Sequence, residues 1–247
     1  MTNTPRVVTI IQARLGSSRL PGKVLLDIAG RPMLARVVAR AIQATKVSHT
    51  VIATSTRDND TPVAETARAL GVEVFRGSEV DVLDRYYQAA LAFGAAAVVR
   101  ITADCPLIDA SFIDTCVDTW LQEGGDYVSN AVQPPYLRGL DVEVVSMAAL
   151  ANAWREAKES YHRAHVTAYI YQHPERFRCV FVPWDADYSA HRWTVDTEKD
   201  LALVRSVYAR LADADHFSWR DVLSILADEP TLMELNRSVP QKDITDG

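Results

Sequence analysis

Residues 7–12, Val-Val-Thr-Ile-Ile-Gln, make a short apolar run that stops at Ala13-Arg14-Leu15-Gly16-Ser17-Ser18-Arg19-Leu20-Pro21-Gly22-Lys23. A run of this length and character reads as a buried strand. A helical pattern follows over 33–44. The glycine-bearing loop therefore leaves the carboxyl end of a strand and leads toward a helix. Gly16 and Gly22 let the backbone approach a ligand and take conformations that a Cβ forbids. Amides and hydroxyls in such a loop donate to phosphate oxygens, and Arg14, Arg19 and Lys23 neutralise their charge. The chemistry points to a polyphosphate. The loop is not a Walker A loop: its glycines stand further apart, and Val24 occupies the position that needs Ser or Thr. No G-x-G-x-x-G dinucleotide loop is present.

The pattern then repeats. Strand-like runs over 50–55, 72–75 and 96–101 alternate with helical patterns over 62–70, 80–93 and 111–122. Ser78 is a candidate N-cap for the second of these helices, with Gly94 as its stop, and Asp109 or Ser111 opens the third. The alternation predicts a mostly parallel sheet with helices on both faces. Such sheets bind ligands beyond the carboxyl ends of their strands. The second half is less regular, with strands expected over 126–130, 141–145, 178–182 and 192–195. Helices are expected there over 147–158, 162–172, 198–211 and 219–227. One continuous α/β domain over 1–247 is the simplest organisation, with 133–184 as a possible lobe over the site. The polar tail over 239–247 is expected to fray.

Composition narrows the partners. The chain has 247 residues, is 48% hydrophobic and carries a net charge of −6. A basic loop in an acidic protein suits a small anion better than a nucleic acid. Cys105, Cys116 and Cys179 are scattered and odd in number, which argues against a disulfide framework or a zinc site. The first residues lack an apolar signal core and no run has membrane-spanning length, so the expected location is the cytoplasm.

Two acidic segments complete the expected site. Arg100-Ile101-Thr102-Ala103-Asp104-Cys105-Pro106 begins as a buried strand and ends in a carboxylate before a proline turn. Asp104 projects from the same sheet edge as the glycine loop, where Mg²⁺ would take a carboxylate together with phosphate oxygens. It could equally cap the turn. Arg192-Trp193-Thr194-Val195-Asp196-Thr197-Glu198-Lys199-Asp200 again reads as a strand ending in a carboxylate. Here Asp196 or Thr197 could N-cap the following helix, and Thr197 with Asp200 resembles a capping box. Asp104 and Asp196 together would hold one or two metal ions.

At this point the residues resemble a family. The run 10–23 closely resembles the nucleotide loop of the cytidylyltransferases, which activate acylneuraminate and 3-deoxy-manno-octulosonate sugars, and is nearest to the spore coat polysaccharide biosynthesis protein F branch. Residues 100–109, Gly139-Leu140-Asp141-Val142-Glu143-Val144, His165-Val166-Thr167-Ala168-Tyr169-Ile170 and 192–197 follow in the same order. The resemblance implies a three-layer, Rossmann-like nucleotide-diphospho-sugar transferase fold (glycosyltransferase A-like). The implied reaction is CTP plus a sugar acid of the ulosonic or nonulosonic type giving a CMP-sugar and pyrophosphate, with Mg²⁺ as cofactor. By resemblance, Arg14, Gly16, Ser17, Ser18, Arg19, Lys23 and Arg100 belong to the nucleotide site, backbone near Ala13 and Arg14 to base recognition, and Asp104 and Asp196 to the metal. Asp141, Glu143 and His165 fall in the sugar-facing region, and relatives commonly form homodimers. The chain departs from the branch at Arg138, before a segment usually preceded by Pro-Asp-Gly, and at Ala164, where Glu is usual.

Two other readings stay open on the residues alone. One is a glycosyltransferase using a nucleotide-sugar, for which Asp185-Ala186-Asp187 has the metal-motif spacing. The other is a non-catalytic nucleotide binder. His162 and His165 stand three apart on an expected helix without a third ligand, so a metal there is not expected. Trp120, Trp154, Trp193 and Trp219 sit in periodic apolar settings and read as core, and Tyr86-Tyr87 read as packing.

Overall fold

The computed structural model of the chain describes residues 4–132 and 136–241. In chain order the elements are β1 (Val7–Gln12), β2 (Asp27–Ile28), β3 (Arg31–Pro32), α1 (Met33–Ala41), β4 (His49–Ser55), α2 (Thr61–Ala69), β5 (Glu73–Gly77) and α3 (Val82–Ala92). They continue with β6 (Ala97–Thr102), α4 (Ala110–Glu123), β7 (Tyr127–Ser129), β8 (Glu143–Ser146), α5 (Met147–Glu156), α6 (Ser160–His165), α7 (Ala168–Tyr171), β9 (Cys179–Phe181), α8 (Glu198–Tyr208) and α9 (Trp219–Asp228). Seven strands form one sheet in the order β5-β4-β1-β6-β8-β7-β9, and β2 with β3 makes a small separate hairpin. β5, β4, β1 and β6 run parallel. β8 is antiparallel to both its neighbours, and β9 is parallel to β7. The expected mostly parallel sheet is present.

The period of two in β1 sets its two faces. Val7 and Ile11 pack into one core with Leu34, Val37, Val117 and Val144, while Val8 and Ile10 pack into the opposite core with Leu83, Tyr86 and Leu150. Helices therefore cover both faces of the sheet, as an apolar strand run requires. A third core lies beyond the sheet, where Trp193, Val195, Leu201, Val204, Trp219 and Val222 pack together with Leu20, Leu137 and Leu140. Trp193 and Tyr86 are fully buried, and Trp120 and Trp154 pack at the edges of the two sheet cores. The three cysteines are free thiols. No helix among the described residues is long and apolar enough to cross a membrane.

Three local expectations are corrected. Residues 192–195 do not join the sheet; Arg192 makes a lone bridge with Arg138. Their alternation comes from Trp193 and Val195 entering the third core, not from a strand ladder. The helix expected over 162–172 is broken into α6 and α7 by Val166, at φ 57° and ψ −63°. Thr167 N donates to His165 O at 2.6 Å across it, the geometry of a γ-turn, which is strained at a β-branched residue. The cap of α3 is Asp81, whose carboxylate accepts from Asp84 N at 2.8 Å; Ser78 instead accepts from Asp81 N and shapes the preceding turn. Asp109 caps α4 by accepting from Ser111 N. Of the tail expected over 239–247, residues 242–247 lie outside the described residues.

Candidate active site

The carboxyl ends of β1 and β6 and the start of β8 meet on one rim of the sheet, because β8 runs antiparallel to β6 and pairs Glu143 with Arg100. The loop after β1 is pinned at both ends. Ala13 N donates to Ala53 O at 3.1 Å, Leu15 N to Asp60 Oδ1 at 2.7 Å, and Gly22 N to Leu15 O at 3.0 Å. Ser17 N donates to Leu15 O at 2.8 Å, and Ser17 Oγ accepts from Leu20 N. Gly22 has φ +72°, so its freedom is used. Gly16 is not in the left-handed region, and a Cβ there would meet Glu79 Oε1 at an ordinary 3.7 Å; the expected conformational need holds for Gly22 alone. Among the described residues the backbone N–H groups of Gly16, Ser18 and Arg19 donate to no protein acceptor. Arg14, Gly16 and Ser18 are exposed. The loop thus offers amides, a hydroxyl and cations to an anion.

Lys23 points inward from the end of this loop and is 8% exposed. Its Nζ donates to Asp104 Oδ2 at 2.7 Å, to Val195 O at 2.8 Å and to Asp196 Oδ1 at 2.9 Å. The two carboxylates expected to act together do meet, on one ammonium. Asp196 Oδ2 also takes Arg19 at 3.0 Å and Arg192 at 2.7 Å. Asp196 is not a helix cap. Thr197 caps α8 in a full capping box with Asp200, and Arg192 grips Asp200 as well. The segment is held without a strand: Val195 N donates to Asp104 O at 2.8 Å, and Trp193 N to Arg138 O at 2.7 Å.

The electrostatics follow from this packing. Burial by itself would depress the Lys23 ammonium, but Asp104 and Asp196 outweigh it and hold its pKa above the ordinary value. Burial would raise Asp104, and the Lys23 charge outweighs that and holds the carboxyl below its usual range. Two hard carboxylates that converge on a cation beside a phosphate-type loop fit Mg²⁺, which takes few protein oxygens and completes its shell from substrate and water. No group of three or more His, Cys, Asp or Glu among the described residues is placed to hold a metal by itself.

Beside the pair opens a cleft of about 320 Å³ lined by Arg19, Thr102, Asp104, Arg138, Asp141, His165 and Asp196, among others. Its floor is a buried ion pair. Arg100 bonds Glu143, whose other oxygen accepts from the Tyr127 and Thr167 hydroxyls. Arg100 and Glu143 are therefore committed to each other. Burial would raise Glu143, yet Arg100 and the hydroxyls hold it below its ordinary value. Asp141 differs: burial pushes its carboxyl up, against Arg138 and a hydrogen bond from Gly139 N at 2.8 Å. The γ-turn at Val166 lets His165 line the cleft while Thr167 reaches Glu143. Asp185 and Asp187 lie elsewhere, Asp185 in an exposed pair with Arg220, so the Asp-x-Asp spacing marks no site on this rim. A larger recess of about 650 Å³ shares Arg138 with the cleft but lacks Asp104 and Asp196.

Four participants escape the expected set. Asp60, 1% exposed, positions the loop from a turn that reads only as a helix start. Arg192 lies within the second acidic segment but was not singled out there. Thr167 is marked only by its neighbour His165, and Arg138 by its departure from the branch pattern.

Comparison with known proteins places this geometry. Residues 8–227 match the family described as Cytidylyltransferase. The chain is 32% identical over 231 residues to the spore coat polysaccharide biosynthesis protein SpsF of Bacillus subtilis, covering 91% of this chain and 95% of that one. It is 34% identical over 122 residues to the 3-deoxy-manno-octulosonate cytidylyltransferase of Trichlorobacter lovleyi, about half of each protein. The structure of a cytidylyltransferase from Leptospira borgpetersenii serovar Hardjo-bovis superposes with a TM-score of 0.90 at 30% identity, over 97% of this chain and all of that one. With residues 8–227 matched by the family and a cytidylyltransferase fold superposing over almost the whole chain, the chain belongs to the cytidylyltransferases.

Proposed function

We propose that the protein transfers CMP from CTP to a hydroxyl of a sugar acid, releasing pyrophosphate, with Mg²⁺ as its metal. The observation that carries this reading is the convergence of Asp104, Asp196 and Lys23 at the mouth of a loop whose amides are left without protein acceptors. The names of the relatives, a 3-deoxy-manno-octulosonate cytidylyltransferase and a polysaccharide biosynthesis protein, support a sugar-acid acceptor and a place in polysaccharide synthesis.

In this mechanism the loop amides, Ser18 and Arg14 receive the outer phosphates. Arg19 and Lys23 offset the charge that builds on the leaving pyrophosphate. Asp104 and Asp196 would hold Mg²⁺, which when bound would supply Lewis-acid polarisation of the phosphate. Asp141, Thr102 and His165 bound the other side of the cleft, where the acceptor hydroxyl approaches the α-phosphorus. Glu143 and Arg100 stiffen the floor beneath it. Most of the rate enhancement then comes from positioning and fixed charge.

Ligand-induced thermal stabilisation tests the nucleotide. CTP with Mg²⁺ is expected to raise the melting temperature more than UTP, ATP or GTP, since a ligand at a hundredfold excess over Kd adds about 2.7 kcal/mol. Pyrophosphate release with 3-deoxy-manno-octulosonate then tests transfer. Asp104→Ala is expected to lose turnover while still binding CTP. A preference for UDP-sugars with no response to CTP would overturn the reading.

A further inference from the structure

The bend at Val166 is the strained point of the cleft wall. Its φ of 57° and ψ of −63° place a fully buried, β-branched residue in a γ-turn between α6 and α7. Such a conformation persists only where the structure on both sides over-determines it. The two neighbours of Val166 show what the turn achieves. His165 lines the cleft, while Thr167 is buried and donates its hydroxyl to Glu143 Oε1 in the floor. Residues two apart on a regular helix lie on nearly opposite sides, so an unbroken helix would not present both to one wall.

The turn is anchored from each side. On the α7 side the anchor is Thr167 on Glu143, above the Arg100 pair. On the α6 side it is Arg163. Its Nε donates to both oxygens of Asp81 at 3.0 Å, its Nη2 to Asp81 Oδ2 at 2.5 Å, and its Nη1 to Trp154 O at 2.7 Å. A planar fork on one carboxylate fixes direction as well as distance.

Both acceptors of Arg163 are themselves held. Asp81 Oδ1 caps α3 by accepting from Asp84 N at 2.8 Å. The Trp154 indole N–H donates to Asp84 Oδ1 at 2.8 Å, and its ring stacks on Tyr87 with centroids 4.5 Å apart. α3 and α5, which carry these groups, pack on the sheet in one core. Tyr161 and His162 bond Gln172, just past α7. Those contacts close the bend, but it is Arg163 that ties α6 to α3.

We propose that Arg163 is a positioning residue: its fork on Asp81 keeps α6 against α3 and so holds His165 at the cleft where the acceptor approaches. Arg163 is not among the cleft-lining residues; its donors are spent on Asp81 and Trp154. Without it the strain at Val166 is free to relax, and α6 turns His165 away. This deepens the cytidylyl-transfer reading and rests on it.

Two measurements on the full chain test it. The first is residue-resolved hydrogen exchange without ligand, in the wild type, Arg163→Met, Arg163→Lys and Asp81→Asn. Asparagine still caps α3 but ends the ion pair. The Thr167 amide, bonded to His165 O at 2.6 Å, is expected to exchange about tenfold faster in Arg163→Met and Asp81→Asn, and less so in Arg163→Lys. Exchange at Asp84 N should stay as in the wild type. The second is CMP transfer from CTP to 3-deoxy-manno-octulosonate and N-acetylneuraminate. Arg163→Met is expected to raise the acceptor KM roughly tenfold with little change in the CTP KM, and to add nothing in a His165→Ala background. An equal effect in both backgrounds would mean that Arg163 serves general stability, and would overturn the proposal. Unchanged exchange at Thr167, or a weakening of CTP in place of the acceptor, would overturn it too. A wild type that turns over neither acid strikes the sugar-acid reading instead, and exchange at Thr167 still decides whether Arg163 holds the turn.

Discussion

Lys23 Nζ lies 2.7 Å from Asp104 Oδ2 across 81 residues of sequence. The same ammonium meets Asp196 Oδ1, 173 residues away. One cation thus ties the phosphate-type loop to both acidic segments. Lys23→Met would leave two carboxylates facing each other in a largely buried setting, a change that costs about 3 kcal/mol. Denaturant unfolding should show that loss. The double substitution Lys23→Met with Asp104→Asn should recover part of it, by about 1 kcal/mol or more, because contacting residues couple. Strictly additive effects would mean the pair contributes nothing beyond its separate packing.

Asp60 is buried beneath the loop and holds its backbone. Its Oδ1 accepts from Leu15 N at 2.7 Å, and its Oδ2 bonds the Ser55 hydroxyl. Asp60→Ala removes the anchor of one backbone amide and is expected to weaken CTP about tenfold, the equivalent of about 1.4 kcal/mol. Hydrogen exchange at Leu15 should accelerate in the same variant. Weaker CTP binding with unchanged exchange would contradict a positioning role.

The Arg100–Glu143 pair predicts a pH dependence. Burial would raise the Glu143 carboxyl, but Arg100 with the Thr167 and Tyr127 hydroxyls holds it below its ordinary value of 4.5. A depressed carboxylate contributes stability that is fully present above the unfolded pKa and is lost as pH falls through the folded one. Glu143→Gln leaves Arg100 buried without its partner and should cost about 3 kcal/mol at pH 7. That difference from wild type should stay flat above about pH 5.5 and shrink below about pH 4.5. Urea unfolding across this range is the check, and a difference that grows toward acid would have the wrong sign.

Gly139 and Gly94 separate two costs of adding a methyl group. Both have positive φ, at +106° and +61°, but only at Gly139 would a Cβ collide with backbone, 2.6 Å from Trp193 C and Thr194 N. Gly94→Ala should cost about 1 kcal/mol from backbone strain. Gly139→Ala should cost about 3 kcal/mol or more, since the 193–194 backbone must shift. It should also impair turnover, because that segment carries Asp196. Equal melting temperatures for the two variants would remove the argument that residues 138–139 are clamped.

The parts legible in the chain were those set by near neighbours. The apolar run over Val7–Gln12 foretold a buried strand, and that strand is β1, buried on both faces. The capping box of Thr197 and Asp200 was readable because its partners are three apart, and it is present. The composition of the loop pointed to an anion, and its unbonded amides are consistent with one. Where local signals failed, a distant contact had overridden them. Residues 192–195 alternate like a strand but are drawn into the third core by Trp193. Residues 162–172 have a helical period, but the pull of Thr167 toward Glu143 accompanies a γ-turn that helix propensity does not anticipate.

By itself, then, the sequence determined the alternation of strands and helices in its first half, the two-faced sheet and the chemical kinds gathered at its rim, because apolar runs, helix caps and glycine placement act over a few residues. Only the tertiary structure decided which charges neutralise one another. It set Lys23 between Asp104 and Asp196, committed Arg100 to Glu143 and placed Arg138 over Tyr136, within electrostatic reach of the Asp141 carboxyl. Those outcomes depend on contacts between residues far apart in the chain, where sheet order and core packing, not local preference, fix the neighbours.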